Sequence, residues 1–262
     1  MISIVCVYND QYVLEKYLLS SLNTQTVEYE KILIDNRNGN FKSASESLNY
    51  GGMRATGKYI MFVHQDVRLC SNEWLDNTEN ILDSLPNVGI SGVAGMSETG
   101  KSNRERQRNI IIEHESPITV WGNPIQKPEI VQTLDECLII IPQNIFRQHA
   151  FDTETCEGWH FYSVDYCLSI KQRGFDVYVI PSKVHHQSLG FYLKFSFKIS
   201  SFKYFAEYYN NLNKVLKKHN KSYSHIYTTN GDYYSGSNVY LQDFKRLVPK
   251  LFSRLIRNIQ KG

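Results

Sequence analysis

Residues 49–67 read NYGGMRATGKYIMFVHQDV: small residues, then the apolar run Tyr59–Val63, then a polar His64-Gln65-Asp66. Two further apolar runs precede it, ISIVCVY at 2–8 and KILIDN at 31–36, and they lack the alternation of half-exposed strands, as strands buried on both faces do. Helical patterns fill the intervals, from about Tyr12 to Thr24 and from Ala44 to Thr56. The order is βαβαβ, and helical crossovers imply parallel pairing. Open sheets of this kind take ligands beyond the carboxyl ends of their strands. That rule directs attention to three loops, Tyr8–Asp10, Asp35–Asn40 and His64–Arg68.

The pattern continues with a helix near Glu73–Leu85 and a strand near Val88–Ala94. The polar segment Ser97–Gln107 reads as a mobile loop, and Arg104, Arg106 and Arg108 either close over a diphosphate or form a solvated charge run. TLDECLIIIP at 133–142 is strand-like, and VYVIP at 177–181 leads to His185 and His186. From about Phe191 the chain turns aromatic and basic, with Phe202, Phe205, Tyr209, Leu212 and Leu216 at helical spacing. Residues 241–262 carry six Lys or Arg against one acid, with Phe244, Leu247, Leu251, Leu255 and Ile259 on one stripe and Pro249 as a kink. Such a helix either packs on the core or a second copy of the chain, or lies on an anionic membrane surface. The expected organisation is an α/β domain over 1–195 and a helical, basic extension over 196–262.

Composition sets the class. Of 262 residues, 42% are hydrophobic and 21% charged, which is ordinary for a folded globular chain, and the net charge of +3 is too small to indicate nucleic acid as a partner. Five cysteines without a CxxC pair read as reduced thiols, and MISIVCVYND has neither a basic n-region nor a cleavage site. The expected location is cytoplasmic, free or held at the inner face of the membrane by the basic tail.

Five segments in order resemble the inverting family 2 glycosyltransferases of GT-A fold, in particular a bacterial subset with HQD where most members carry the DxD metal motif. They are ISIVCVYND with its helix and SLNTQ, KILIDNRNGN, the N-x-G and A-x-G-x-Y-x-x-F frames running into HQD, FD with GWHFYSVDYCL, and a His-bearing strand end. The resemblance covers residues 1 to 195. It implies a Rossmann-like open mixed sheet flanked by helices. The implied reaction moves a sugar, with inversion, from a UDP- or dTDP-sugar to a hydroxyl of a bacterial glycan, glycoprotein or lipid-linked acceptor, with Mn²⁺ or Mg²⁺ as cofactor.

Carried over by position, Tyr8, Asn9 and Asp35 line the base and ribose pocket, and Asn49, Gly51 and Arg54 approach the nucleotide. Asp66 matches the second acid of DxD and holds the metal and diphosphate, while His64 replaces the first acid and ligates the metal, contacts the ribose or packs. His186, in H-x-S-x-G, is the second metal ligand, and His185 points the opposite way if the backbone is extended. Tyr162 and Ser163 stand where the family carries an ED pair, so Asp165 is the candidate base, or else opens a helix, with Glu157 behind it. Asp135 touches the donor sugar or sits in a turn; Trp159 and His160 form an acceptor platform or pack in the core. The missing acids leave a second reading, an inactive nucleotide-sugar-binding or scaffold subunit, and the aromatic helix at 197–218 leaves a homo-oligomer open.

Overall fold

The computed structural model describes residues 1–115, 118–187, 199–240 and 242. Among them, seven strands form the main sheet, in the order β2 (Tyr29–Asp35), β1 (Ile2–Tyr8), β3 (Tyr59–Val63), β11 (Leu138–Pro142), β5 (Val88–Gly92), β12 (Asp176–Val179) and β9 (Glu129–Ile130). β1 runs parallel to β2 and β3, whereas β11 enters antiparallel between β3 and β5, so the sheet is mixed. The β1–β2 register ends with Tyr8 beside Asp35. Leu138 pairs with Val63, so the residues that lead into β11 meet those that leave β3.

Alternation along β1 sorts side chains between two buried clusters. Val5 joins Ile34, Phe62 and Phe146 on one face, while Ile4 and Cys6 join Leu14, Leu18 and Trp74 on the other. Asp10 caps the helix after β1 by accepting from the Val13 amide at 3.1 Å. That helix runs as α1 (Gln11–Leu14), a π turn (Glu15–Leu19) and α2 (Ser20–Leu22). α3 (Ala44–Gly52) starts at the edge where β1 and β2 end, with Ser43 as its cap, and returns to the opposite edge. α4 (Trp74–Ser84) follows the short strand β4 (Val67–Leu69).

A second sheet stands across the carboxyl edge, in the order β10 (Thr133–Leu134), β6 (Gly95–Met96), β7 (Gln107–Glu115), β13 (Val184–His186) and β4, with β8 (Ile118–Asn123) pairing with β7. The segment read as a mobile loop is structured here. Ser102 and Glu105 cap each other's turn, starting α5 (Asn103–Arg106), and Gln107 opens β7. The strand QRNIIIEHE neither alternates nor runs unbroken apolar, so it carries no strand period.

α6 (Gln143–Gln148) and α7 (Tyr162–Gln172) cover the main sheet, and α8 (Ile199–His219) packs on α7. The extension is not wholly helical: β14 (His225–Thr228) and β15 (Gly231–Tyr234) form a hairpin against β10 and β6. The apolar stripe through 244–259 lies outside the described residues. Among those described, no helix is long and apolar enough to cross a membrane.

Gly51 marks the closest approach of α3 to the sheet. A Cβ there would collide with Val5 Cγ1 and stand 2.7 Å from Ile34 Cδ1. Gly51→Ala should therefore destabilise the fold by about 1–3 kcal/mol, overpacking outweighing the gain in helix propensity. Urea denaturation checks this, and an unchanged or raised midpoint would contradict it.

Candidate functional site

Asp66 leaves the carboxyl end of β3 one residue before β4, and β4 pairs antiparallel with β13 so that His186 faces Val67. This register sets His186 Nε2 3.3 Å from Asp66 Oδ1. His64 completes the group, its ring 5.5 Å from that of His186. One ligand atom from each of His64, Asp66 and His186 lies within 4.8 Å of the others. Two imidazole nitrogens and a carboxylate oxygen form a donor set that can hold a divalent cation.

The electrostatics of His64 and Asp66 suit that role, while His186 is held by Asp66 in an ion pair that a metal would have to replace. Burial, with the neighbouring His186, lowers His64 to about 4 and keeps its ring neutral, as a ligand must be. Burial alone would raise Asp66, but the hydrogen bond and charge of His186 hold it below the usual carboxylate range. Burial likewise opposes charge on His186, and Asp66 outweighs it and raises the imidazole. Tyr162 fixes the His64 ring: its hydroxyl donates to the Glu136 carbonyl at 3.1 Å and lies 3.3 Å from His64 Nε2. The hydroxyl has one hydrogen, so satisfying both contacts makes His64 Nε2 the donor and leaves Nδ1 with the free lone pair. Tyr162, at a position where the resemblance led us to look for an acid, orients the histidine.

Gln65 has a different task. Its Oε1 accepts from the amides of Asn9 and Asp10, both at 3.0 Å, and its Nε2 donates to Asn9 Oδ1 at 2.8 Å. It splints the end of β1 to the end of β3. Two cavities meet at this splint. One, of about 540 Å³, lies beyond β1 and β2 and is lined by Tyr8, Asn36, Phe41, Trp159 and Glu207. The other, of about 560 Å³, is lined by Tyr12, Asp135, Glu136, His186 and the hairpin tip Thr228–Asn230. Asn9, His64, Asp66 and His160 belong to both.

Other expected residues are placed differently. Asp165 is buried on the far side of α7, accepting from Lys218 Nζ at 2.7 Å and facing His219 Nε2 at 2.8 Å, and it lines neither cavity. It anchors α8, because a buried carboxylate needs such partners. Glu157 is exposed and paired with Lys214 at 2.6 Å. Asn49 spends its amide on Phe151, accepting from the amide at 2.9 Å and donating to the carbonyl at 2.8 Å. Gly51 is a packing glycine, and Arg54 stacks on Tyr50 near the edge opposite the site. Asp35 is held well below the carboxylate range by Arg37, which grips it through Nε at 3.0 Å and Nη2 at 2.5 Å and lies 5.8 Å from the Tyr8 ring. Arg108 pairs with Glu129 at 2.8 Å and Arg106 covers the Tyr227 ring at 4.0 Å. His185 is buried and stacks on Tyr17.

The carboxylates beside the cluster are Asp135 and Glu136, delivered by the entry to β11. Asp135 Oδ1 accepts from the Cys137 amide at 3.0 Å in a local turn. Glu136 Oε2 lies 3.8 Å from His160 Nδ1, and burial pushes its carboxyl above the usual range against the pull of His160. Phe161, between His160 and Tyr162, sits in the left-handed region at φ 70°, packed on Tyr208. Nothing in periodicity marks Glu136 out, and its adjacency to Asp135 is the one signal that could have found it.

Two outcomes follow from this geometry. Asp66→Ala should weaken Mn²⁺ binding by more than about ten-fold, a loss that even outer-shell changes reach at metal sites, as read by the electron paramagnetic resonance of free Mn²⁺. Asp165→Asn should cost about 1–3 kcal/mol in urea denaturation, because His219 and Lys218 lose a buried carboxylate while Lys218 keeps Asp152, yet leave Mn²⁺ affinity unchanged.

A family model described as "Glycosyltransferase like family" matches residues 2–219. A protein of Fuscovulum blasticum, "ATP synthase subunits region ORF 6", is 26% identical over 163 residues, spanning 60% of this chain and 62% of that one. Three solved structures share the fold. GalNAc-T7 with UDP, GalNAc and Mn²⁺ is 14% identical over 72% of this chain and 43% of that one, with TM-score 0.52. The mannosyltransferase PcManGT of Pyrobaculum calidifontis, with GDP-Man and Mn²⁺, is 12% identical over 85% and 64%, with TM-score 0.54. S. aureus TarS 1-349 with UDP-GlcNAc is 12% identical over 82% and 65%, with TM-score 0.53. In each case the chain spans less than two thirds of the protein it matches. The mixed α/β sheet flanked by helices is of the GT-A type, and the chain belongs to the Glycosyltransferase like family.

Proposed function

We propose that this protein transfers a sugar from a nucleoside-diphosphate sugar to an acceptor hydroxyl. The observation that carries the reading is the His64–Asp66–His186 cluster, at the carboxyl edge of the sheet and at the junction of two cavities. The cavity beyond β1 and β2, with Tyr8, Phe41 and Trp159, receives the nucleoside; a pyrimidine, as in UDP- or dTDP-sugars, is our choice. The cluster would hold Mn²⁺ in preference to Mg²⁺, since imidazole donors favour the softer ion, and such an ion supplies positive charge for the departing diphosphate.

The acceptor oxygen attacks the anomeric carbon as the bond to the diphosphate oxygen breaks, with inversion. Its proton passes to the Asp135–Glu136 pair, in place of Asp165 and Glu157. Glu136 suits the task because burial raises its carboxyl above the usual carboxylate range and so makes it a stronger base. His160 is its neighbour and orients it. The acceptor belongs to a glycan, glycoprotein or lipid-linked chain, made in the cytoplasm, and the basic residues after 241 provide the contact with a membrane or a second copy of the chain.

A screen of UDP-, dTDP- and GDP-sugars with Mn²⁺, Mg²⁺ or EDTA tests the reading through nucleoside diphosphate release. Wild type should release it from one pyrimidine donor, with EDTA and Asp66→Ala each suppressing release. Binding of a nucleotide without release under any condition would favour an inactive binding subunit, and no binding would defeat both readings.

A further inference from the structure

The cavity on the far side of the cluster from the nucleoside is bounded by a part of the chain that the family match does not reach. That match ends at residue 219, and the hairpin β14–β15 follows it. Its tip, Thr228–Asn230, lines the same cavity as Asp66 and Glu136. We infer that this hairpin is the acceptor-recognition wall, and that Thr229 and Asn230 read the hydroxyls of a carbohydrate acceptor. This deepens the transfer reading and rests on it.

The hairpin is fixed from behind. Gln132 grips its first strand twice, donating to the His225 carbonyl at 3.0 Å and accepting from the Tyr227 amide at 2.7 Å. Thr133 donates its hydroxyl to the Tyr227 carbonyl, and the Arg106 guanidinium covers the Tyr227 ring. Ile226 and Tyr233 are buried in the main core cluster. The tip is shaped from within: Thr228 Oγ1 donates to the Gly231 carbonyl at 3.1 Å and accepts from the amides of Asn230 and Gly231 at 3.2 and 3.1 Å. Thr228 is therefore spent on the turn. Thr229 is half-buried and Asn230 exposed, and they offer a hydroxyl and an amide at the cavity's margin.

Tyr12, 70% exposed on α1, lines the same cavity. A phenol ring together with neutral hydrogen-bonding groups suits a sugar, whose C–H faces stack on aromatic rings while its hydroxyls seek donors and acceptors. A rigid turn also reads such a ligand at low entropic cost. Two lost neutral hydrogen bonds predict a change of about ten-fold in acceptor half-saturation.

The test compares wild type with a Thr229→Ala/Asn230→Ala double variant, which leaves Thr228 and the backbone turn intact. Nucleoside diphosphate release from the pyrimidine donor is followed with water alone and with a panel of p-nitrophenyl glycosides, beside nucleotide affinity and melting temperature. At least one glycoside should accelerate or competitively inhibit release by wild type. In the variant its half-saturating concentration should rise about ten-fold, while nucleotide affinity and water-supported release stay unchanged. Unchanged half-saturation overturns the role of the hairpin, and a wild type that releases nucleotide yet responds to no glycoside overturns the carbohydrate assignment. A wild type with no release at all instead defeats the transfer reading, and the inference falls with it.

Discussion

The antiparallel ladder between β4 and β13 is the join on which the cleft depends. A strand has a period of two, so a slip of one residue would turn His185 toward Asp66 and send His186 into the core. Two side chains hold the register by gripping the segment just before β13. Asn109, buried in β7 with a left-handed backbone at φ 63°, reaches the carbonyls of Val93, Ile180 and Ser182 at 2.7, 2.9 and 3.0 Å. The indole of Trp74 donates to the Lys183 carbonyl at 3.0 Å. These bonds satisfy backbone oxygens that the strand pairing leaves over, and they determine which histidine meets the carboxylate.

What the amino-acid order made legible were features with a local signal. Unbroken apolar runs and the crossovers between them fixed the parallel β1–β3 unit, and the carboxyl-edge rule then pointed to His64 and Asp66. The choice of His186 over His185 came from the resemblance, through the frame H-x-S-x-G, and alternation then turned His185 the other way. The β7–β8 hairpin escaped because its first strand carries no strand period, and the β14–β15 hairpin because helical patterns surround it.

Residue roles were less legible than elements, because a role depends on partners remote in the chain. Asp165 had the residue type of a base and lay nearest to the positions where the resemblance expects one, but Lys218 and His219 arrive from α8 and turn it into an anchor. Asn49 carries a polar amide near an expected nucleotide, and Phe151 absorbs it. Gln65, between two chemically conspicuous neighbours, joins two strand ends. Its donors and acceptors match the Asn9–Asp10 turn, a fact that only tertiary structure supplies. Tyr162 illustrates the reverse: an apparent loss of acid leaves a hydroxyl that selects one histidine tautomer.

The hairpin tip also has a bearing on how the chain folds. One wall of the second cavity, Asn9 to Tyr17, belongs to the opening of the sequence, and the facing wall is Thr228 to Asn230. The βα units that join β1, β2 and β3 form from contacts nearer in sequence, whereas this cavity requires closure of nearly the whole chain, the slowest kind of contact to make. During synthesis from the amino terminus, the residues that line the first cavity at the ends of β1 and β2, and the cluster's His64 and Asp66, emerge well before the hairpin. The cavity is thus the last part of the site to be enclosed, and a nascent chain that has formed its first three strands still has it open to solvent on that side.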